Sequence, residues 1–355
     1  RGGAIFNYGA GAPGPTELHV QDSLFSGNSA GRGGALYSDA AQDTFISSDF
    51  PDNASSSAGG AIYAYFNTLA VYDTVFENNA SQGGAGALHI DYGQVTISGS
   101  QINKNSAAED GGAIRITGSG SRLAIRGTSF SGNSARFSGG AIDASAGFLD
   151  IATATFSANQ AGDLATAAAP ASTLSLYDAQ ARVENSTFSG NQTLPGLIPV
   201  QATIRTGGDS DLTLLHSTVA DNDPGGGPGI FGLFAFGKSL QVHNTIFAGN
   251  GSQNCDVRQV EPDQLSFAGT LADDSSCAGA AVTNALFLQP LADNGGLTPT
   301  QAITEESAAY GTADPAFCLP TDQRGLMRDL AACDVGAYEY VVDEVFRIYL
   351  PAIIR

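Results

Sequence analysis

Apolar and polar residues alternate along most of the chain in runs of three to seven, as in Leu69-Ala-Val71, Leu123-Ala-Ile125 and Leu240-Gln-Val242. That is the period of a strand with one buried face, and Gly, Asn, Asp or Ser break each run before helical periodicity can develop. The runs recur at intervals of 25 to 32 residues. A Phe or another apolar residue, followed three places later by Asn, marks each return: Phe25/Asn28, Phe50/Asn53, Phe76/Asn79, Ile102/Asn105, Phe130/Asn133, Phe156/Asn159, Phe188/Asn191, Val219/Asn222 and Phe247/Asn250. A second marker, Gly-Gly-Ala-Ile/Leu, keeps step at Gly2–Ile5, Gly33–Leu36, Gly59–Ile62, Gly111–Ile114 and Gly139–Ile142, and loses its first glycine at Ala85–Leu88. Two markers in phase predict a stacked-repeat architecture, each coil resting on its neighbours because one repeat alone cannot bury its apolar side. At about 4.8 Å per layer, nine or so coils give a rod on the order of 40 Å long.

The markers have structural roles on this reading. The Phe column points inward as a pile of rings, each large buried side chain contributing roughly 1.5–3 kcal/mol. Asn tolerates left-handed backbone angles and can hydrogen-bond its own copy one coil on, as an amide ladder. The small residue five places after the Phe (Ala30, Ser55, Ser81, Ala107, Ala135, Ala161) suits a cramped corner. Paired glycines allow turns that a Cβ would obstruct.

Composition narrows the field. The 355 residues carry a formal charge of −20 with only 14% charged residues, 45 Gly, one Met and no Trp. Phosphate backbones and anionic membrane surfaces are poor partners for such a chain, so nucleic-acid binding is not expected. No apolar run reaches the roughly 20 residues of a membrane span. Residue 1 stands inside a repeat, so either a leader and earlier coils are expected to have been removed or the chain is expected to be a fragment of a longer one. The four cysteines, Cys255, Cys277, Cys318 and Cys333, lie in the last third; proximity favours Cys255–Cys277 and Cys318–Cys333 among three possible connectivities. Their spacing fits no zinc motif, and disulfides imply an oxidising compartment. The reading divides the chain into repeats at 1–250, a cysteine-bearing capping module at 251–340 and an apolar strand-like tail at 341–355.

Candidate chemistry is sparse. The Asp pairs Asp221/Asp223 and Asp273/Asp274 fall in loops, and Asp221/Asp223 can be read as calcium ligands, although the nonapeptide spacing of calcium-binding β-rolls is absent. No other cofactor is expected. His216 and His243 sit near each other in register and read as surface residues. The acidic and basic residues Asp322, Arg324, Asp334 and Glu339 read as a buried network rather than a catalytic group. Tyr37, Tyr63, Tyr65, Tyr72 and Tyr92 recur near turns and can stack on sugars. Insertions at Ala165–Ala171, Pro195–Pro199 and Asp221–Gly229 read as loops extruded from turns.

The segments Asn254-Cys255, Ser276-Cys277, Leu291–Ile303, Ser307–Gly311, Cys318–Arg328 and Cys333–Tyr340 resemble the C-terminal part of bacterial choice-of-anchor Q proteins. The upstream Gly-Gly-Ala-Ile and Phe-x-x-Asn repeats resemble those of polymorphic outer-membrane proteins and of right-handed parallel β-helices. These resemblances imply an all-β, right-handed parallel β-helix of about nine to eleven coils with a disulfide-stapled C-terminal module, secreted or surface-attached and without catalysis. β-helices also host pectate lyases and polygalacturonases, but no set of Asn-Thr-Asp, Asp-Asp, Gly-His-Gly and Arg-Ile-Lys motifs is present, so a carbohydrate-binding or polysaccharide-processing protein is the alternative. The tail lacks a sortase-type motif and offers Val341, Val345, Phe346, Ile348, Tyr349 and Leu350 for packing. It is expected to cover the open coil of another copy, giving head-to-tail association; other cell-surface components and glycans are the further partners considered.

Overall fold

The computed structural model describes residues 2–9, 16–162, 171–194, 201–222 and 230–341. The chain winds into a parallel β-helix whose coils line up as four sheets. Sheet I runs from Ile5–Tyr8 to Gln253–Arg258, sheet II from Thr16–Gln21 to Leu265–Ala268, and sheet III from Asp49–Pro51 to Ala281–Val282, each with ten strands among the described residues. Sheet IV, from Ser29–Arg32 to Gln192–Thr193, has seven.

One coil shows how the sequence makes the shape. Ile62–Tyr65, Thr68–Tyr72, Val75–Glu77 and Ala80–Ser81 contribute to sheets I to IV in turn. Ile62, Ala64, Leu69, Val71, Phe76 and Ser81 point inward and are buried. Each corner holds a residue with positive φ: Gly59 (+66°), Phe66 (+45°), Asp73 (+49°) and Asn78 (+55°). The breaks in the alternating pattern are therefore the four bends of the coil. The two marker glycines do different work. Gly59 supplies a left-handed bend, whereas a Cβ on Gly60 would lie 1.9 Å from the Gly86 carbonyl oxygen of the next coil.

The interior is a set of ladders. Phe25, Phe50 and Phe76 stack at 4.8 and 4.9 Å, and Phe130, Phe156 and Phe188 at 4.8 and 4.5 Å. Ile102 pairs with Phe76 and Phe130, while Val219 pairs with Phe188 and Phe247, so each aliphatic residue interrupts the ring column. The Asn column is continuous from Asn28 to Asn250: each side-chain amide donates to the Oδ1 of the next Asn at 2.8–3.0 Å.

From Asn53 onward each ladder amide also donates to a carbonyl of the preceding coil, as Asn79 does to Phe50. In the middle of the column Asn133 donates to Asn159 Oδ1 at 2.9 Å and to the Ile102 carbonyl at 2.7 Å. Asn159 likewise reaches Asn191 Oδ1 at 2.9 Å and the Phe130 carbonyl at 3.0 Å, and Asn191 reaches Asn222 Oδ1 and the Phe156 carbonyl, both at 2.8 Å. One part of the expectation for these residues is corrected. The left-handed angles belong to the residue before the Asn and not to the Asn itself: Gly132 stands ahead of Asn133, Ala158 ahead of Asn159 and Gly190 ahead of Asn191, as Asp52, Asn78, Lys104 and Asp221 do in other coils. Asn133, Asn159 and Asn191 are buried, and the column is held by amide geometry, which satisfies backbone carbonyls that the sheets leave open.

The C-terminal third departs from the expected boundaries. Strands continue to Ala281–Val282, and Cys255–Cys277 ties sheet I of the last coil to the loop between Leu271–Ala272 and Ala281–Val282, the last two strands of sheet III, so residues 251–282 belong to the helix. The Phe-x-x-Asn period fades there because Leu271–Ala272 takes the place of the Phe-centred strand. Residues 283–341 do not sit on the end of the helix. They run back along the outside of sheet III as irregular chain, stapled by Cys318–Cys333, and we call this segment the roof. Of the tail, Val341 is exposed and outside any strand, and Val345, Phe346, Ile348, Tyr349 and Leu350 lie outside the described residues, as do Asp223 and most of the other insertions. No helix among the described residues is long and apolar enough to cross a membrane.

Candidate functional site: a groove along sheet II

Sheet II turns Leu69, Val71, Val95, Ile97, Leu123 and Ile125 into the core, which obliges the alternate positions to face out. Register stacks these outward residues in columns. One column reads Thr68, Gln94, Arg122, Phe148, Gln180 and Asp211; the middle one reads Ala70, Thr96, Ala124, Asp150, Arg182 and Thr213. Small residues in the middle column leave a trough with a volume of about 760 Å³, bounded on the sheet III side by Tyr72. Six strands contribute, so the trough is roughly 24 Å long at the spacing of parallel strands. That is a shape for an extended ligand.

Its charges are mostly matched. Arg126 pairs with Asp150, Arg182 pairs with Glu184, and Lys238 lies 3.7 Å from Asp211. Arg122 differs: its guanidinium sits 4.4 Å over the Phe148 ring, with no carboxylate partner among the described residues. A guanidinium over a ring and without a carboxylate partner keeps N–H donors for a planar anion. At the corner between sheets I and II, Phe66 and Tyr92 stack at 4.8 Å and 8°, exposed by 53% and 43%.

The other candidates resolve differently. Tyr37 and Tyr63 are buried rather than available to a sugar; they stack on each other, and Tyr63 stacks on His89. The column continues through Arg115, which approaches Glu109, Asp110 and Asp143 at 3.4–3.6 Å. Burial, with Arg115 and Arg32 nearby, holds His89 down to about 3; burial and Asp110 push Asp143 up to about 7. This is a packed ionic seam on the outside of sheet I.

His216 and His243 are buried, not surface residues, because the roof covers them. His243 stacks on Phe317 and meets Ser266 Oγ at 3.0 Å; His216 Nε2 faces the Asn244 amide at 3.1 Å and Cys333 Sγ at 3.9 Å. His216, Cys318 and Cys333 lie within metal-ligand reach of one another, but the two sulfurs are bonded together and offer no thiolate. Asp221 accepts from Gln301, Asp273 from Gly249 and Asn254, and Asp274 from Asn254 and Ser276, so these carboxylates hold loops.

The fold and the trough define a parallel β-helix repeat protein that presents a lateral groove. Residues 22–39 match the Chlamydia polymorphic membrane protein (Chlamydia_PMP) repeat, which covers the corner after Gln21, the Phe25/Asn28 marker and the first Gly-Gly-Ala-Leu. Neither the curated proteins nor the solved structures yield a match. The repeat match and the fold fit a surface-type β-helix protein.

Sequence reasoning missed the groove as a unit. Its outward residues look like ordinary polar strand positions, and the available signal was the run of small residues Ala70, Thr96 and Ala124 at one repeat position, flanked by Tyr72, Arg122 and Phe148.

Proposed function

We propose that this protein is an extracellular, non-catalytic β-helix scaffold that adheres to its target through the groove on sheet II. The observation that carries the reading is the trough itself: a rigid sheet floor with exposed aromatic and guanidinium groups along it. Non-catalytic binding is supported by the pairing of the groove carboxylates Asp150 and Asp211 with Arg126 and Lys238, which leaves no matched acid and base facing each other. Two disulfides support an oxidising, extracellular setting, and the polymorphic-membrane-protein repeat supports display at a surface. Anchoring of the choice-of-anchor type, and head-to-tail association through residues 341–355, both concern the tail beyond Val341 and form no part of this reading.

The test is display of the full chain on a non-adherent bacterial host, scored for attachment to polysaccharide-coated and protein-coated surfaces. Ala124→Trp fills the trough from an outward position without touching the core. Attachment by the parent and its loss in Ala124→Trp, with an unchanged circular dichroism spectrum, is the expected result. Equal attachment by both would remove the groove from the function.

A further inference from the structure

We propose that the groove on sheet II takes a linear acidic polysaccharide, with sugars lying against the Phe66/Tyr92 ridge and an anionic group on Arg122. This rests on the adhesive reading above and names its ligand class.

The first observation is conformational. Phe66 and Tyr92 occupy the sheet I–II corner at φ +45° and +55°. The same corner is filled by Ala40, Gly118, Ala146, Asp178 and Gly208 in other coils, which are small or readily left-handed residues. A bulky side chain with left-handed angles costs roughly 1–2 kcal/mol, and burial normally offsets such a cost. Here neither ring is buried. Strain retained at an exposed aromatic pair points to a use outside folding.

The second observation is that neighbouring residues make room for the ridge and tie it to the groove. The Tyr92 ring lies over Gly118, where a Cβ would sit 2.8 Å from the ring. Gln94, a groove residue in the next strand position, donates its side-chain amide to the Gly120 carbonyl at 2.9 Å. Tyr92 is thus held between Phe66 on one face and Gly118 on the other, and the exposed edges of the two rings stand two residues ahead of the first groove-lining positions, Thr68 and Gln94. Apolar ring edges beside a polar trough suit the alternating apolar and hydroxyl surfaces of a pyranose chain.

The third observation selects acidic over neutral chains. Arg126 and Arg182 are neutralised in place, but Arg122 sits 4.4 Å over the Phe148 ring with no ion pair among the described residues. A guanidinium without a carboxylate partner can recognise carboxylate or sulfate through paired N–H groups. The formal charge of −20 repels acidic polymers from the rest of the surface, and at physiological salt that repulsion is screened beyond about 8 Å. Binding is thus confined to the groove. Its length of about five strand steps favours a polymer segment over a monosaccharide.

The experiment is isothermal titration of the full chain with hexamers of alginate (carboxylate), of chondroitin sulfate (sulfate and carboxylate) and of cellulose (neutral). The expected result is binding of at least one acidic hexamer, with the neutral one at least tenfold weaker. Arg122→Gln should lose about tenfold for the acidic ligand. Tyr92→Gly should also lose about tenfold while its melting temperature holds or rises, because glycine suits φ +55°; a fall in melting temperature would make the ring structural and overturn the proposal. Retained affinity in either variant, or equal binding of the neutral hexamer, would overturn it as well. If no hexamer binds while Ala124→Trp still abolishes attachment in the display assay, the adhesive groove stands and the acidic-glycan assignment falls.

Discussion

Sheet III is one continuous ladder with two different outer faces. In the strands Val75–Glu77, Gln101–Asn103 and Ser129–Ser131 only the central Phe or Ile is buried, and the flanking side chains reach water. In Thr187–Ser189, Thr218–Ala220 and Ile246–Ala248 all three positions are buried beneath the roof. Thr155–Ser157 is the transition, with its Thr covered and its Ser not. The covered stretch carries a second apolar core, in which Ala220, Ile246, Ala248 and Leu271 of the helix meet Leu286, Ile303, Ala309 and Val335 of the roof. A solenoid needs no such layer, because stacking alone buries its interior. The difference shows that the outward positions of a repeat are free to specify a lateral partner while the inward ladder runs on unchanged.

The partner is held by polar anchors at the corner between sheets II and III. Where the open coils place Ser47, Asp73 and Gly99, the covered coils place Asn185, His216 and Asn244, with φ of +42°, +44° and +49°. Asn244 exchanges hydrogen bonds with the Asp314 backbone at 3.0 and 2.7 Å, and Asn185 donates to the Thr321 carbonyl at 2.8 Å. Gln323 inserts between coils, accepting from Thr187 at 2.6 Å and donating to Thr155 and Thr298 at 2.8 and 2.9 Å. Behind them Arg328 meets Glu339 at 2.8 Å, both buried, and Arg324 meets Asp322 at 2.7 Å.

The sharpest way to break the contrast is Arg328→Met. It leaves Glu339 charged and buried without its partner, a situation that costs roughly 3–5 kcal/mol. The loss should concentrate in the roof: hydrogen exchange should accelerate at Thr187–Ser189 and Thr218–Ala220 and stay slow at Val75–Glu77. Equal acceleration in both stretches would mean that the two halves unfold as one unit and that the roof is not a separable layer.

Much of this was legible in the sequence, and the limits are physical. The Phe and Asn columns announce the coil because inward positions must repeat for each coil to fit the last. Cysteine proximity selected the pairing seen in the structure. The chain after residue 282 reads as an end module because it has no periodicity of its own. The signal for its true place was on the other partner: the residue after the Phe position is polar at Glu77, Asn103, Ser131, Ser157 and Ser189 and becomes apolar at Ala220 and Ala248. The histidines misled for the same reason, since His216 and His243 occupy solvent-facing register positions until something covers them. The groove depends on which outward columns are small, a property of six coils together and of no single motif.

A smaller effect comes from pH. Burial above all, then Arg328, holds His216 down to about 3, so the folded state prefers its neutral imidazole. The corresponding stability is full above the ordinary value of about 6.5 and is lost as pH falls from there toward 3, by at most about 1.4 kcal/mol per pH unit. Asp334 opposes this. Burial pushes it up to about 6, so its contribution is full below the ordinary carboxylate value and is lost as pH rises through about 6. His216→Gln should therefore flatten the fall in melting temperature between pH 6.5 and 5, and Asp334→Asn should steepen it. Identical slopes in parent and His216→Gln would show that the covered half is not where acid acts.

The smallest expected effect belongs to the open face, where Lys104 and Glu77 form an ion pair at 2.9 Å between adjacent coils. Lys104 is 67% exposed and Glu77 39%, so water solvates both charges nearly as well apart as together. Such pairs contribute about 0.2–1 kcal/mol, and salt screens what there is. Lys104→Ala should shift the denaturation midpoint by no more than that, and the shift should vanish in molar salt. Lys104 also carries a left-handed angle, φ +53°, at the corner before Asn105. Lys104→Gly removes the same charge but relieves the backbone, so it should match or exceed the parent. A loss above about 1 kcal/mol in Lys104→Ala that Lys104→Gly does not restore would mean that the open face of sheet III is held by its surface charges. The distinction between the two halves would then be one of degree, with ion pairs doing on one side what the roof does on the other.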